Sequence, residues 1–279
     1  MPARYPERIV CLTEESTETL YLLGEERRIV GISGYTVRPP RARREKPRVS
    51  AFLSAKTDKI VALKPDLVIG FSDLQADIAR DLTKAGLNVL IFNQRSVDEI
   101  LSMILALSSL VGAADRGREL IRQLEAGLAE IRDAGRRFPR KPRVYFEEWD
   151  EPMISGIRWV SELIEIAGGE DVFSERSHSQ AASGRIVAEA RLVVEKQPDV
   201  ILGSWCGKKF RPERVAARAG WAEIPAVRDG ELHEIKSADI LQPGPAALTD
   251  GVRRIYAILT DYLRRFSGPA SGTRARAAG

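Results

Sequence analysis

Between residues 97 and 138 the chain has no strand-forming stretch, whereas short apolar runs alternate with helical ones on both sides of that segment. This interruption limits the fold more than any other feature. Residues 97–110 read as one apolar helix. After Gly112, residues 115–136 carry Leu120, Leu124, Leu128 and Ile131 at helical spacing with charges between them, the pattern of a long amphipathic helix. Pro139 and Pro142 close it. The pattern predicts two α/β lobes joined through helices: an N-terminal lobe over 1–96, linking helices over 97–138 and a C-terminal lobe over 139–266.

Inside the first lobe, residues 8–12 (RIVCL) predict a buried strand and 14–23 a helix, with Thr13 as N-cap and Gly24 as its stop. A strand over 28–32, a helix over 57–63, a strand over 67–69, a helix over 77–85 ending at Gly86 and a strand over 88–92 follow. Residues 143–146 restart the alternation. Short apolar strands between helices indicate parallel sheets covered on both faces. An internal repeat supports two similar halves. Residues 58–73 read DKIVALKPDLVIGFSD and residues 191–206 read RLVVEKQPDVILGSWC. Aligned without gaps, Pro65-Asp66 falls on Pro198-Asp199, so each half should contain the same helix, turn and strand. Ligands of open parallel sheets sit beyond the carboxyl ends of the strands, which places a cleft between the lobes.

That geometry singles out the aromatic residues at strand ends. Phe71 follows the strand at 67–69 and Trp205 follows the second copy, while Trp149 and Trp159 flank the strand that starts at Arg143. Rings bury much area at low entropy cost, which suits a flat, bulky ligand. Trp221 lies in a surface-helix pattern and reads as structural. Glu14 and Glu15 open the first helix, where they favour its dipole or face a ligand. Glu147, Glu148, Asp150 and Glu151 form an acidic cluster that reads as a solvated loop or as a partner for polar ligand groups.

Charge and motifs exclude several classes. The 279 residues carry a net charge of +4 with both signs interspersed, so nucleic acid is not an expected partner. The basic run from Arg38 to Arg48 reads as a solvated loop. No 18 consecutive apolar residues occur, and the N-terminus lacks the pattern of a secretory signal. As written, the chain reads as cytoplasmic, or as an extracytoplasmic domain whose signal was removed. Cys11 and Cys206 sit at predicted strand ends, one per lobe, and read as inert thiols or as joint ligands of a soft metal. His178 and His233 are isolated, and no HxH, HExxH or CxxC spacing supports a dedicated metal site. No nucleophile elbow, phosphate loop or dinucleotide fingerprint is present, so no catalytic residue is assigned and the chain is not expected to be an enzyme. A monomer is expected. The small, polar residues 267–279 are expected to be disordered.

The runs RIVCLTEESTETLYLLG, RIVGISGYTVRPP, KIVALKPDLVIG, SGIRWVSELIEIAGGEDVF and QPDVILG together resemble ABC-transporter solute-binding proteins of the iron–siderophore and cobalamin class, over about residues 7 to 265. The likeness is greatest to cobalamin-binding members, on Tyr35 to Pro40 and the runs WAEIPAVRDGEL and QPGPAALTDG. It implies two lobes joined by one long helix, small closure motions and a corrinoid held in an aromatic box, with no cofactor required. By matching position the box would be Tyr35, Phe52, Phe71, Met153, Trp159 and Asp239, with Phe52 and Phe71 where tryptophans are common. It also implies docking to an ABC permease through one acidic residue per lobe. Asp58 fills that position in the first lobe; in the second, Arg191 does, with Glu189 two positions away, and Arg191 would repel a permease arginine. A ferric siderophore or haem is the alternative ligand, with Arg158, Arg185 and Lys208 to neutralise it. A cytoplasmic enzyme or metal-dependent regulator on the same scaffold is a third reading.

Overall fold

The computed structural model describes residues 5–266; the tail expected to be disordered lies outside them. In the first lobe the order is β1 (Ile9–Cys11), α1 (Glu14–Leu22), β2 (Ile29–Ser33), α2 (Ala42–Glu45), β3 (Arg48–Ser50), α3 (Thr57–Ala62), β4 (Leu67–Phe71), α4 (Ala76–Lys84) and β5 (Val89–Phe92). The linking pair is α5 (Val97–Leu110) and α6 (Ala114–Gly135). Then come β6 (Arg143–Asp150), β7 (Met153–Ser155), α7 (Arg158–Ile166), β8 (Glu170–Asp171), α8 (Ser174–Ser177), α9 (Ala190–Lys196), β9 (Val200–Gly203), α10 (Pro212–Ala216), α11 (Pro225–Arg228), β10 (Leu232–Glu234), α12 (Ser237–Ile240) and α13 (Val252–Phe266).

The first sheet runs β3-β2-β1-β4-β5, all parallel, with Ile9 opposite Leu67 and Cys11 opposite Ile69. The second runs β10-β9-β6-β7, and β8 pairs the start of β6. β7 is antiparallel to β6, so the second sheet is mixed rather than wholly parallel. The strand starting at Arg143 also runs on to Asp150, because its charged end pairs with β7 as a hairpin.

Alternation across each strand decides which core a side chain joins. Ile9 and Cys11 face one cluster while Val10 and Leu12 face another; Val144 and Phe146 face the first while Tyr145 faces a third. The first cluster is common to both lobes. It takes the inner face of each sheet together with Leu107, Leu124, Leu128 and Ile131 of the linking helices and Ile255, Leu259 and Tyr262 of α13. One continuous core through the link resists hinging, because packed interiors transmit strain rather than yield.

The link runs through α5 and the long helix α6, as the pattern of the sequence predicts. Gly112 breaks it at φ +74°, and the capping box of Ser96 and Glu99 starts α5. Thr13 occupies the N-cap position of α1 but does not cap it; its hydroxyl donates to Glu15 at 2.5 Å instead. Trp221 is fully buried against Tyr145, not on a surface helix, although its role is structural as expected.

Candidate functional site

The carboxyl ends of the two sheets face each other, and polar contacts cross between them. Arg38, after β2, pairs with Asp239 of α12 at 3.0 Å and with Asp250 at 2.7 Å, while also holding Glu18 of α1 at 2.9 Å. The second oxygen of Glu18 accepts the Ala246 N–H at 3.0 Å. Gln94, after β5, donates to the Pro243 carbonyl at 2.9 Å. These contacts correct two expectations. Asp239 is one of three carboxylates clasping Arg38, so it is committed within the protein. Trp159 is buried in the shared core, and its indole N–H donates to the Ile240 carbonyl at 2.9 Å; it holds α12 in place and does not open onto the cleft.

The N-terminal wall is apolar and open. Tyr35 is 59% exposed, Leu53 68% and Leu74 59%, in the segments that follow β2, β3 and β4. Phe52 is half-buried beside them and Phe71 is buried. Gln75 joins the two, accepting the Phe71 N–H at 3.0 Å and donating to the Phe52 carbonyl at 2.9 Å. Ser72 next to Phe71 has φ 66° and ψ 166°, a region almost reserved for glycine, so backbone strain sits at the cleft edge. The Arg95 guanidinium lies over the Phe71 ring, 4.8 Å from its centroid.

On the C-terminal wall Trp149, Met153 and Trp205 come together. Met153 and Trp205 line a cavity of about 410 Å³ at the carboxyl ends of β6 and β9. Lys208 reaches over both tryptophan rings, 4.0 Å from the centroid of Trp149 and 5.2 Å from that of Trp205, and pairs with Asp150. Trp205 is held by Glu147, which accepts its indole N–H at 3.0 Å. Glu147 is fully buried and also accepts the Tyr145 hydroxyl at 3.0 Å and both terminal nitrogens of Arg218 at 2.5 and 2.9 Å. The acidic cluster is therefore not a solvated loop. The cations expected to meet an anionic chelate are paired too: Arg158 with Glu162 at 2.8 Å, Arg185 with Glu148 at 2.5 Å, and Lys208 with Asp150.

Titratable groups near the cleft are displaced mainly by burial. Burial pushes the Glu14 carboxyl up to about 8, against hydrogen bonds from the backbone N–H groups of Val37 and Arg38. It pushes Glu15 up to about 7, opposed by the Thr13 hydroxyl. Both lie buried in the first turn of α1, and Glu15 packs directly under Gly244 of the crossing segment. Burial pushes the Cys11 thiol up to about 12, and its side chain is sealed in the first lobe, so it cannot share a metal at the cleft with the exposed Cys206. Among the described residues no group of three His, Cys, Asp or Glu side chains is placed to hold a metal ion.

The surface acids fall on equivalent helix starts. Asp58 is exposed in the first turn of α3 and Glu189 is exposed just before α9. Arg191 is held between Glu189 at 2.7 Å and Glu195 at 2.8 Å.

Comparison with known proteins agrees with this architecture. A family model described as "Periplasmic binding protein" matches residues 9–238. The Vibrio cholerae vitamin B12-binding protein is 28% identical over 263 residues, covering 91% of this chain and 89% of its own. An uncharacterized ABC transporter substrate-binding lipoprotein of Bacillus subtilis is 23% identical over 259 residues, covering 90% and 79%. Among solved structures, the periplasmic heme-binding protein of Roseiflexus sp. RS-1 superposes with a TM-score of 0.75 at 26% identity, covering 91% of this chain and 99% of that one. The periplasmic vitamin B12 binding protein of Vibrio cholerae gives 0.73 at 25% identity, covering 93% and 98%. No helix of the described residues is long and apolar enough to cross a membrane.

Proposed function

The chain belongs to the periplasmic binding protein family, and from that premise we propose that this solute-binding protein holds one bulky corrinoid of the cobalamin type between its lobes. The observation that carries this reading is the open apolar wall of Tyr35, Leu53 and Leu74 in the segments that follow β2, β3 and β4 of one sheet. A soluble protein leaves such a patch uncovered where something else covers it. A flat macrocycle does so with large contact area and little ordering cost. Trp149 and Met153 supply the facing wall, and the shared core implies that capture needs only a small closure. The naming of relatives for vitamin B12 supports the choice of ligand.

Haem is the second reading, favoured by the cation on Phe71 and by heme-binding relatives. Delivery to an ABC permease in the extracytoplasmic space would use Asp58 and Glu189 as the docking acids, one per lobe. No reaction is assigned; the residues serve capture and release. Titration with cyanocobalamin, followed by tryptophan fluorescence, tests the reading. A saturable change with Kd below about 100 μM is expected, and its absence up to that concentration overturns it.

A further inference from the structure

Arg95 is a cation that the protein leaves largely unspent. Its side chain is 10% exposed, and its hydrogen-bond partner is Asp73, at 3.3 Å, itself 78% exposed. Its Nε is buried with no partner. A guanidinium carries five N–H donors, so most of this one's capacity is unused by protein groups. The Phe71 ring beneath it fixes its plane. From the opposite lobe Glu148 and Arg185 are close enough to act on its charge. Glu148 is already held by both terminal nitrogens of Arg185, at 2.5 and 3.2 Å, and the Arg185 Nε is likewise buried without a partner. Arg95 is thus a largely desolvated guanidinium with a vacant donor, and Glu148, the carboxylate of the other lobe that acts on it, is already taken by Arg185. An anion lodged against Arg95 fills the vacant donors.

We propose that Arg95 forms a subsite for an anionic oxygen group of the ligand, a carboxylate or a phosphate, seated at the edge of the macrocycle above Phe71. The assignment rests on the cleft being the ligand site. It makes Arg95 a specificity-determining residue: the apolar wall takes the ring, and Arg95 reads a charged side arm. A phosphodiester on a nucleotide arm and a propionate on a porphyrin present the same chemistry, so the probes must separate them.

The test measures affinities of the wild-type chain, Arg95→Gln and Arg95→Lys for three compounds: cyanocobalamin, which carries a phosphodiester; dicyanocobinamide, the same ring without it; and haemin, which carries two carboxylates. An anion-bearing probe that binds is expected to lose about tenfold or more in Arg95→Gln and to regain part of this in Arg95→Lys. Its dependence on added salt should weaken in Arg95→Gln. Dicyanocobinamide should change by less than about twofold. Equal loss for charged and uncharged probes, or no loss for any, overturns the subsite. If no macrocycle binds the wild type, the corrinoid and haem readings fail separately. The subsite is then judged by NMR of the Arg95 Nε–H signal during titration with inorganic phosphate. A saturable shift supports it, and an unmoved signal overturns it.

Discussion

Asp66 and Asp199 make the same contact in the two lobes. Asp66 accepts the Arg8 N–H at 3.0 Å, Asp199 accepts the Arg143 N–H at 2.8 Å, and each thereby fixes the chain where the first strand of its lobe begins. Two residues earlier, Lys64 and Gln197 both turn the chain with a left-handed backbone, at φ 48° and 45°. The repeat in the sequence is thus a repeat of turn and anchor. The two anchors differ in shelter. Asp66 is exposed, whereas Asp199 also accepts Arg140 at 2.6 Å and the Tyr262 hydroxyl at 2.9 Å. Asp199→Ala should cost about 2–3 kcal/mol and Asp66→Ala about 1 kcal/mol in urea unfolding. A larger loss at Asp66 would contradict the pairing described.

Much of this fold was legible in the sequence because local signals and packing agree. The strandless middle, the short apolar strands of the first lobe and the Pro-Asp turns depend on neighbours a few residues away. What was not legible depends on distant partners. The end of β6 is rich in charge and reads as loop, yet it becomes strand because Arg218, Arg185 and Lys208 neutralise it from far along the chain. Asp239 reads as part of the pocket because Arg38, its partner, lies 201 positions away. Arg95 stands unremarked at a helix start; only the fold lays it over Phe71.

Glu147 organises the C-terminal wall, and breaking it should be expensive. It is fully buried, and the donors on it come from Tyr145, Trp205 and Arg218. Glu147→Gln removes the charge that Arg218 requires and cannot accept all of these donors. A loss of about 3 kcal/mol is expected, since removing one partner of a buried pair strands the other. Near-ultraviolet circular dichroism should also change, as Trp205 loses its anchor. Unfolding within about 0.5 kcal/mol of wild type would show that Arg218 finds solvent readily and that Glu147 is not the organiser.

Stability should fall as pH rises through neutrality. Burial holds Glu14 at about 8 and Glu15 at about 7, above the ordinary value of 4.5 that both regain on unfolding. The folded state therefore prefers them protonated. Their contribution is complete below about 4.5 and is lost as pH passes through the folded values, because the unfolded chain then gives up its protons more readily. Thermal melts from about pH 5 to about pH 9 should show a declining Tm for wild type, and Glu15→Gln should flatten that decline and raise Tm at the alkaline end. A wild-type Tm that rises over this range would mean that the two carboxyls are not held neutral.

The two thiols should separate cleanly in reactivity and report on the cleft. Cys11 is sealed, with burial pushing its thiol up to about 12, so almost no thiolate forms in the folded protein. Cys206 is exposed after β9; burial and the nearby Glu148 charge raise its thiol as well, so its reaction should be measurable but slow. A disulfide reagent at about pH 8 should therefore modify one thiol in the native chain and a second only in denaturant, and Cys206→Ser should abolish the first reaction. Because Cys206 lies beside Glu148 on the C-terminal wall, saturating cyanocobalamin should slow its labelling by about fivefold or more if the corrinoid occupies the cleft. Two reactive thiols in the native chain would place Cys11 outside the core. Unchanged labelling at saturation would put the bound corrinoid away from this wall.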